Sequence, residues 1–346
     1  MSYFLSDFND LLEYVSRTYN KTIYDAFLKT YSKLETKDSI VCAISGGADS
    51  DILLDLICKV MVARKISDSK IHFIFFDTGI EYEATKRHLD DLEILYGIKI
   101  ERIRAIKPVP LGCKQFGVPF WSKRVSDMIE RLQKHNFKWE DKPFEELKKE
   151  YPKCRYSLRW WCNQWGEGSQ FNISYTKELK EFMIKNPPTF KISGKCCAGA
   201  KKNNAKKYLE KINADLNMYG VRKAEGGARA TAYKSCFDNA KEGQNWDVYR
   251  PIFWFSNKDK EEYKQLFGII HSDCYKKYGL KRTGCAGCPF GKEFEKELDI
   301  IQQYEPKLHK AVNNIFGESY EYTRKFIKFR ERNNERIKTL FDLMGE

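Results

Sequence analysis

An apolar run at residues 39–44 (SIVCAI) leads directly into Ser45-Gly46-Gly47-Ala48-Asp49-Ser50. A stretch follows at 51–64 that carries Ile52, Leu53, Leu56, Ile57 and Val60 at helical spacing. No other feature of the sequence restricts the fold as much. A short run that is apolar throughout reads as a strand buried on both faces, the pattern of a parallel sheet. Two glycines allow a sharp turn and a close backbone approach to a ligand. The helix after the turn has unpaired N–H groups at its start, and with the serine hydroxyls these suit a phosphate. The loop is neither a Walker A loop nor GxGxxG.

The pattern then repeats. Residues 71–76 (IHFIFF) read as a second buried strand ended by Asp77-Thr78-Gly79, 83–96 as a helix, 98–103 as a third strand and 216–221 as another. Strands alternating with helices predict an α/β fold with a doubly wound parallel sheet. The expected organisation is an N-terminal helical segment over 1–36 and a nucleotide-binding core from 37–107 and 192–255. A helical, aromatic and basic insertion is expected over 108–191, and a cysteine-rich loop with a basic helical region over 256–346.

Composition narrows the class. A chain of 346 residues with a 42% hydrophobic fraction can bury a large core without disulfides. No apolar stretch is long enough to span a membrane, and the start lacks the pattern of a signal peptide, so the expected location is the cytoplasm. A net charge of +13 predicts attraction to polyanions, nucleic acid and nucleotides among them. Eleven cysteines in a reducing compartment point to metal or redox chemistry.

Two cysteine groups stand out, Cys196-Cys197 and Cys285-Ala286-Gly287-Cys288. The CxxC spacing puts two thiolates on one tight loop, and four thiolates suit either Zn²⁺ or an iron–sulfur cluster. Cys274, in the same loop region, is an alternative fourth ligand, with Cys162 in reserve. Cys42 and Cys58 fall on apolar faces and read as core, while Cys113, Cys154 and Cys236 have no metal spacing.

These segments together resemble the PAPS/APS reductase family of the PP-loop ATP-pyrophosphatase superfamily, of the iron–sulfur type. The resemblance rests on SGGADS at 45–50, on Asp77-Thr78-Gly79-Ile80-Glu81-Tyr82, on Arg222 to Arg229 with Gly226 where the family has serine, and on Cys-Cys followed by CxxC. It implies nucleotide contacts from Ser45, Gly46, Gly47, Asp49, Ser50, Asp77 and Thr78, and catalytic roles for Asp49, Arg222 and Arg229. It also implies a [4Fe–4S] cluster on ligands drawn from Cys196, Cys197, Cys274, Cys285 and Cys288. The implied substrates are ATP with Mg²⁺, or a sulfonucleotide (APS or PAPS). The family's C-terminal nucleophilic cysteine has no counterpart, because Cys288 is the last cysteine. The expected activity is therefore ATP-dependent activation and sulfur transfer to a nucleic acid or other acceptor, served by a sulfur or electron donor protein. Sulfonucleotide reduction with an external thiol, and a nucleotide- or redox-sensing DNA-binding regulator, are the alternatives.

Overall fold

The computed structural model describes residues 7–226, 232–291 and 293–344, with side chains described up to residue 335. It divides into two compact units, one of residues 1–106 and 200–286, the other of 107–199 and 287–346. The first unit thus takes in the N-terminal helices and the chain up to Ala286. The second combines the expected insertion with the C-terminal helices. Its boundaries differ from the four segments expected above because packing, not chain order, defines a compact body.

In the first unit β1 (Ile40–Ala43) is followed by α3 (Ala48–Arg64), β2 (Ile71–Asp77), α4 (Glu83–Tyr96) and β3 (Ile100–Arg104). Ahead of β1 lie α1 (Phe8–Ser16) and α2 (Lys21–Glu35). The chain returns through α10 (Asn203–Lys211) into β4 (Leu216–Tyr219), then β5 (Phe237–Asp238) and β6 (Asp247–Tyr249). The helices α11 (Asn257–Phe267) and α12 (Asp273–Lys276) complete it. The sheet order is β3-β2-β1-β4-β6-β5, parallel except for β5. β1 is therefore flanked by β2 on one side and β4 on the other, which is where strand order reverses.

The apolar runs explain this arrangement. Ile40, Val41 and Cys42 are buried on both faces of the sheet, and α3 is buried almost all round, with Ile52, Leu53, Leu54, Leu56, Ile57 and Val60 at zero exposure. The polar group inside this core is satisfied: Asp55 receives Tyr263 Oη at 2.7 Å and Tyr96 Oη at 3.0 Å and pairs with Lys59.

In the second unit α5 (Val109–Phe116), α6 (Lys123–Gln133), α7 (Phe144–Glu150), α8 (Arg155–Trp161) and α9 (Leu179–Lys185) pack with α14 (Pro306–Met344). A short α13 (Phe294–Tyr304) precedes α14. The core is aromatic: Phe120, Trp161, Phe182 and Phe326 are each buried completely. One parallel bridge, Val118 to Ile192, ties the end of α5 to the segment that carries Cys196. Among the described residues no helix is long and apolar enough to cross a membrane.

Candidate nucleotide site and cysteine cluster

The loop Ser45–Gly47 lies at the carboxyl end of β1, and Gly47 caps the start of α3. The glycines are required by packing. Gly46 has φ +64°, and a Cβ there would stand 2.7 Å from Thr85 Cγ2. A Cβ on Gly47 would stand 3.0 Å from Thr283 Oγ1. Gly220, just beyond β4, comes within 3.0 Å of the Asp49 carbonyl oxygen measured from its Cβ position, so the end of β4 presses on the first turn of α3. Ser50 Oγ accepts from Ser45 N–H at 3.0 Å and closes the loop on itself.

Two cations converge on Asp49. Lys260 Nζ donates to Oδ1 at 2.8 Å, and Arg222 Nε lies 3.0 Å from Oδ2, a charge contact whose angle is too poor for a hydrogen bond. Arg222 is 5% exposed, and its Nη1 donates to Phe255 O at 3.3 Å and Asn257 Oδ1 at 3.1 Å. Burial pushes the Asp49 carboxyl up, but the Lys260 hydrogen bond and the charges of Lys260 and Arg222 outweigh it and hold the group below its ordinary value. Lys260 is placed by a capping box at the start of α11, where Ser256 Oγ accepts from Asp259 N–H at 3.2 Å and Asp259 Oδ2 accepts from Ser256 N–H at 2.7 Å. Of the two expected arginines, Arg222 is thus at the loop. Arg229 lies outside the described residues.

Asp51, one helical turn in, is fully buried between two imidazoles, with His88 Nε2 at 3.0 Å and His271 Nδ1 at 2.7 Å. Both carboxylates at the start of α3 therefore have each oxygen occupied by a protein group, and the residues here do not fit a resident Mg²⁺.

The turn after β2 is held from within. Thr78 is fully buried, and Glu81 Oε1 accepts from its N–H at 3.1 Å and its hydroxyl at 2.5 Å. Burial raises the Glu81 carboxyl, against the opposing pull of Lys201 and Thr78. Asp77 Oδ1 accepts from Gly79 N–H at 2.8 Å. What this turn offers a ligand is backbone and Asp77 rather than the Thr78 hydroxyl.

The five cysteines expected as ligands fall in both units. In the first unit Cys285 Sγ lies 3.6 Å from Thr78 Oγ1, and Cys274 Sγ 3.6 Å from Thr85 Oγ1. In the second, Cys113, Cys197 and Cys288 lie close enough to Cys196 to act on its thiol. Cys196 is pushed up to about 12, chiefly by the neighbouring Cys113 thiol, with burial and Cys288 adding and Cys197 opposing. Cys113 was invisible to spacing arguments. It is brought there by the Val118–Ile192 bridge, which lays residues 193–197 along α5 so that a Cβ on Gly112 would stand 3.3 Å from Cys196 Cα. Among the described residues no group of three or more His, Cys, Asp or Glu could hold a single metal ion, and no disulfide joins the cysteines. By donor type the set suits an iron–sulfur cluster; it is not a preformed single-ion centre.

Residues 39–156 match the family model described as the phosphoadenosine phosphosulfate reductase domain. That stretch of the chain is similar to the PAPS reductase domain family. A curated relative, "Uncharacterized protein MJ0066" of Methanocaldococcus jannaschii, is 26% identical over 309 residues, covering 89% of this chain and 47% of its own length. The chain therefore spans about half the length of the curated relative it matches. Among solved structures, a PAPS reductase from Candida auris in phosphate complex aligns with TM-score 0.38 and 11% identity, over 72% of this chain and 83% of that one. An NH3-dependent NAD synthetase from Campylobacter jejuni gives 0.34 and 11%, over 87% and 95%. The U34-tRNA thiolase NcsA from Methanococcus maripaludis, with its [4Fe–4S] cluster, gives 0.34 and 13%, over 88% and 79%. At those scores the likenesses are distant.

Proposed function

We propose that this PAPS reductase-family chain binds an adenine nucleotide at Ser45–Ser50 and uses ATP to activate an acceptor for sulfur transfer. The observation that carries the reading is the position of the loop. It follows β1, the strand flanked by β2 and β4, and Arg222 follows β4, so the two lie at the reversal point of strand order where α/β sheets bind ligands.

The site suits positioning and charge stabilisation rather than proton transfer, because Asp49 is held ionised by two cations. In the proposed first step an acceptor oxygen attacks the α-phosphorus. A P–O bond forms, the bridging α–β P–O bond breaks, and pyrophosphate leaves. Loop amides hold the pyrophosphate, and Arg222 and Lys260 offset the charge that builds on the phosphoryl oxygens. In the second step a sulfur nucleophile from a donor protein forms a C–S bond, and AMP leaves with the C–O bond pair. The net charge of +13 favours a polyanionic acceptor such as a nucleic acid. A [4Fe–4S] cluster would be held by Cys196, Cys197 and Cys288, with Cys113 of the same unit as the fourth ligand. Such a cluster supplies electron or sulfide chemistry when bound.

Sulfonucleotide reduction remains the second reading, favoured by the family match at 39–156. There an external thiolate attacks the sulfonyl sulfur and the nucleoside phosphate leaves; a second thiol then releases sulfite. The test is anaerobically purified protein with radiolabelled ATP, APS and PAPS. Pyrophosphate release from ATP supports the first reading, and sulfite release from APS or PAPS replaces it with the second. Tight binding with neither product supports the sensor.

A further inference from the structure

The segment that leads to CxxC lies against the phosphate loop. Its ends are tied within the first unit, by Cys274 to Thr85 and by Ala286 N–H donating to Ile80 O at 3.0 Å. Between them, Tyr275 Oη accepts from the Ala48 N–H at 3.0 Å. Ala48 is the first residue of α3, so this N–H has no partner within the helix and is one that a phosphate loop offers to its ligand. The same phenol oxygen lies 3.2 Å from Thr283 Oγ1. One oxygen is thus held by an amide and a hydroxyl, above a glycine whose missing Cβ would stand 3.3 Å from it. Such a donor set is what a non-bridging phosphate oxygen requires, at the mouth of a loop whose sequence implies phosphate. Lys281 and Arg282 add exposed positive charge beside Thr283. Both Tyr275 and Thr283 are only half-buried, so the place can be reached from solvent.

We propose that the Tyr275 hydroxyl oxygen occupies a subsite for a phosphate oxygen of the bound nucleotide, whose donors are the Ala48 N–H and Thr283, and that Tyr275 yields this place when nucleotide binds. Thr283 then becomes a phosphate-binding residue of the site, contributed by the cysteine-rich segment rather than by the loop. This rests on the nucleotide reading above and adds to it a residue that binds and a residue that competes.

The two make opposite predictions. Tyr275→Phe keeps the ring, which lies 5.6 Å from the His271 ring, and removes only the oxygen. The free protein then holds an unsatisfied amide that the nucleotide satisfies, so affinity rises by roughly 5- to 30-fold. Thr283→Val removes a ligand and lowers affinity by roughly 5- to 10-fold. Adenosine, which has no phosphate, should bind both variants as it binds the wild type. The measurement is isothermal titration with ATP, APS, inorganic pyrophosphate and adenosine, with circular dichroism confirming that each variant is folded. Tighter ATP and pyrophosphate binding by Tyr275→Phe, with weaker binding by Thr283→Val, supports the proposal. Equal or weaker binding by Tyr275→Phe, while the wild type binds ATP, overturns the proposal and leaves the nucleotide reading intact. A wild-type protein that binds none of the nucleotides or pyrophosphate removes both.

Discussion

Asp49→Asn tests whether the charge cluster at the loop is a structural unit as well as a binding one. The substitution keeps the shape of the side chain and removes its charge, leaving Arg222 and Lys260 facing one another across a carboxamide. The three side chains are 13%, 7% and 18% exposed for Asp49, Arg222 and Lys260, so solvent relieves little of the repulsion. Breaking one partner out of a buried pair costs about 3–5 kcal/mol, and the partial water access here brings this to about 3 kcal/mol. For a body of this size that lowers the melting temperature by about 6–12 °C. The sign with pH follows from the direction of the Asp49 shift. Its folded value lies below the ordinary one, so its contribution is fully present above about pH 4 and is lost as pH falls through the lower folded value. The gap between wild type and Asp49→Asn should therefore narrow in acid. Thermal unfolding followed by circular dichroism at pH 7 and pH 3 reads both effects. The double variant Asp49→Asn/Lys260→Met removes the surplus cation and should recover at least about 1 kcal/mol of the loss, a coupling that a double-mutant cycle isolates. Single and double variants melting within a degree of the wild type at pH 7 would refute the electrostatic argument. The same result bears on binding experiments, because loss of nucleotide affinity in Asp49 variants has to be separated from loss of fold.

Three further outcomes are expected. Gly220→Ala puts a Cβ 3.0 Å from the Asp49 carbonyl oxygen and 3.3 Å from the Ser50 nitrogen; both are backbone, so the loop must shift, and titration should show ATP affinity reduced roughly tenfold or more. Arg222→Lys keeps the charge but loses the fork that bonds Phe255 O and Asn257 Oδ1, and should likewise weaken ATP binding by roughly tenfold without restoring the wild-type melting temperature. For the cysteines, iron and sulfide analysis of anaerobically prepared protein should show loss of iron in Cys288→Ser and none in Cys154→Ser, whose thiol instead bonds the Arg131 carbonyl at 3.5 Å; equal iron in the two variants would discard Cys288 as a ligand.

The parts of this fold that could be read in the sequence are those built from continuous apolar runs. β1, β2 and α4 lie within a residue or two of where the pattern puts them, because a strand buried on both faces has no polar position to blur its limits. β5 and β6 could not be read that way. They span two and three residues, include Asp238 and Asp247, and exist because Tyr249 and Val248 find partners across the sheet. Lys260 was equally hidden. Its sequence neighbours describe an ordinary capped, charged helix, and its meeting with Asp49, 211 residues away, is decided by how α11 packs. Around CxxC the cysteines drew attention to their segment for a reason of composition, whereas the contacts with the loop come from Tyr275 and Thr283, residue types too common to stand out.

What unites the hidden residues is that each occupies a group the loop would otherwise leave bare. The Ala48 N–H is taken by Tyr275, the guanidinium of Arg222 and the ammonium of Lys260 are taken by Asp49, and Asp51 in turn is taken by His88 and His271. A phosphate loop without ligand faces a general difficulty, because buried donors and cations without partners are costly. Here the fold meets it with its own oxygens. On the proposed reading, an incoming phosphate finds its donors already oriented, and the free energy it gains is reduced by the contacts it replaces. Affinity at such a site is set by the difference between two well-bonded states. Removing a competing oxygen, as in Tyr275→Phe, and removing a donor, as in Thr283→Val, should therefore move it in opposite directions.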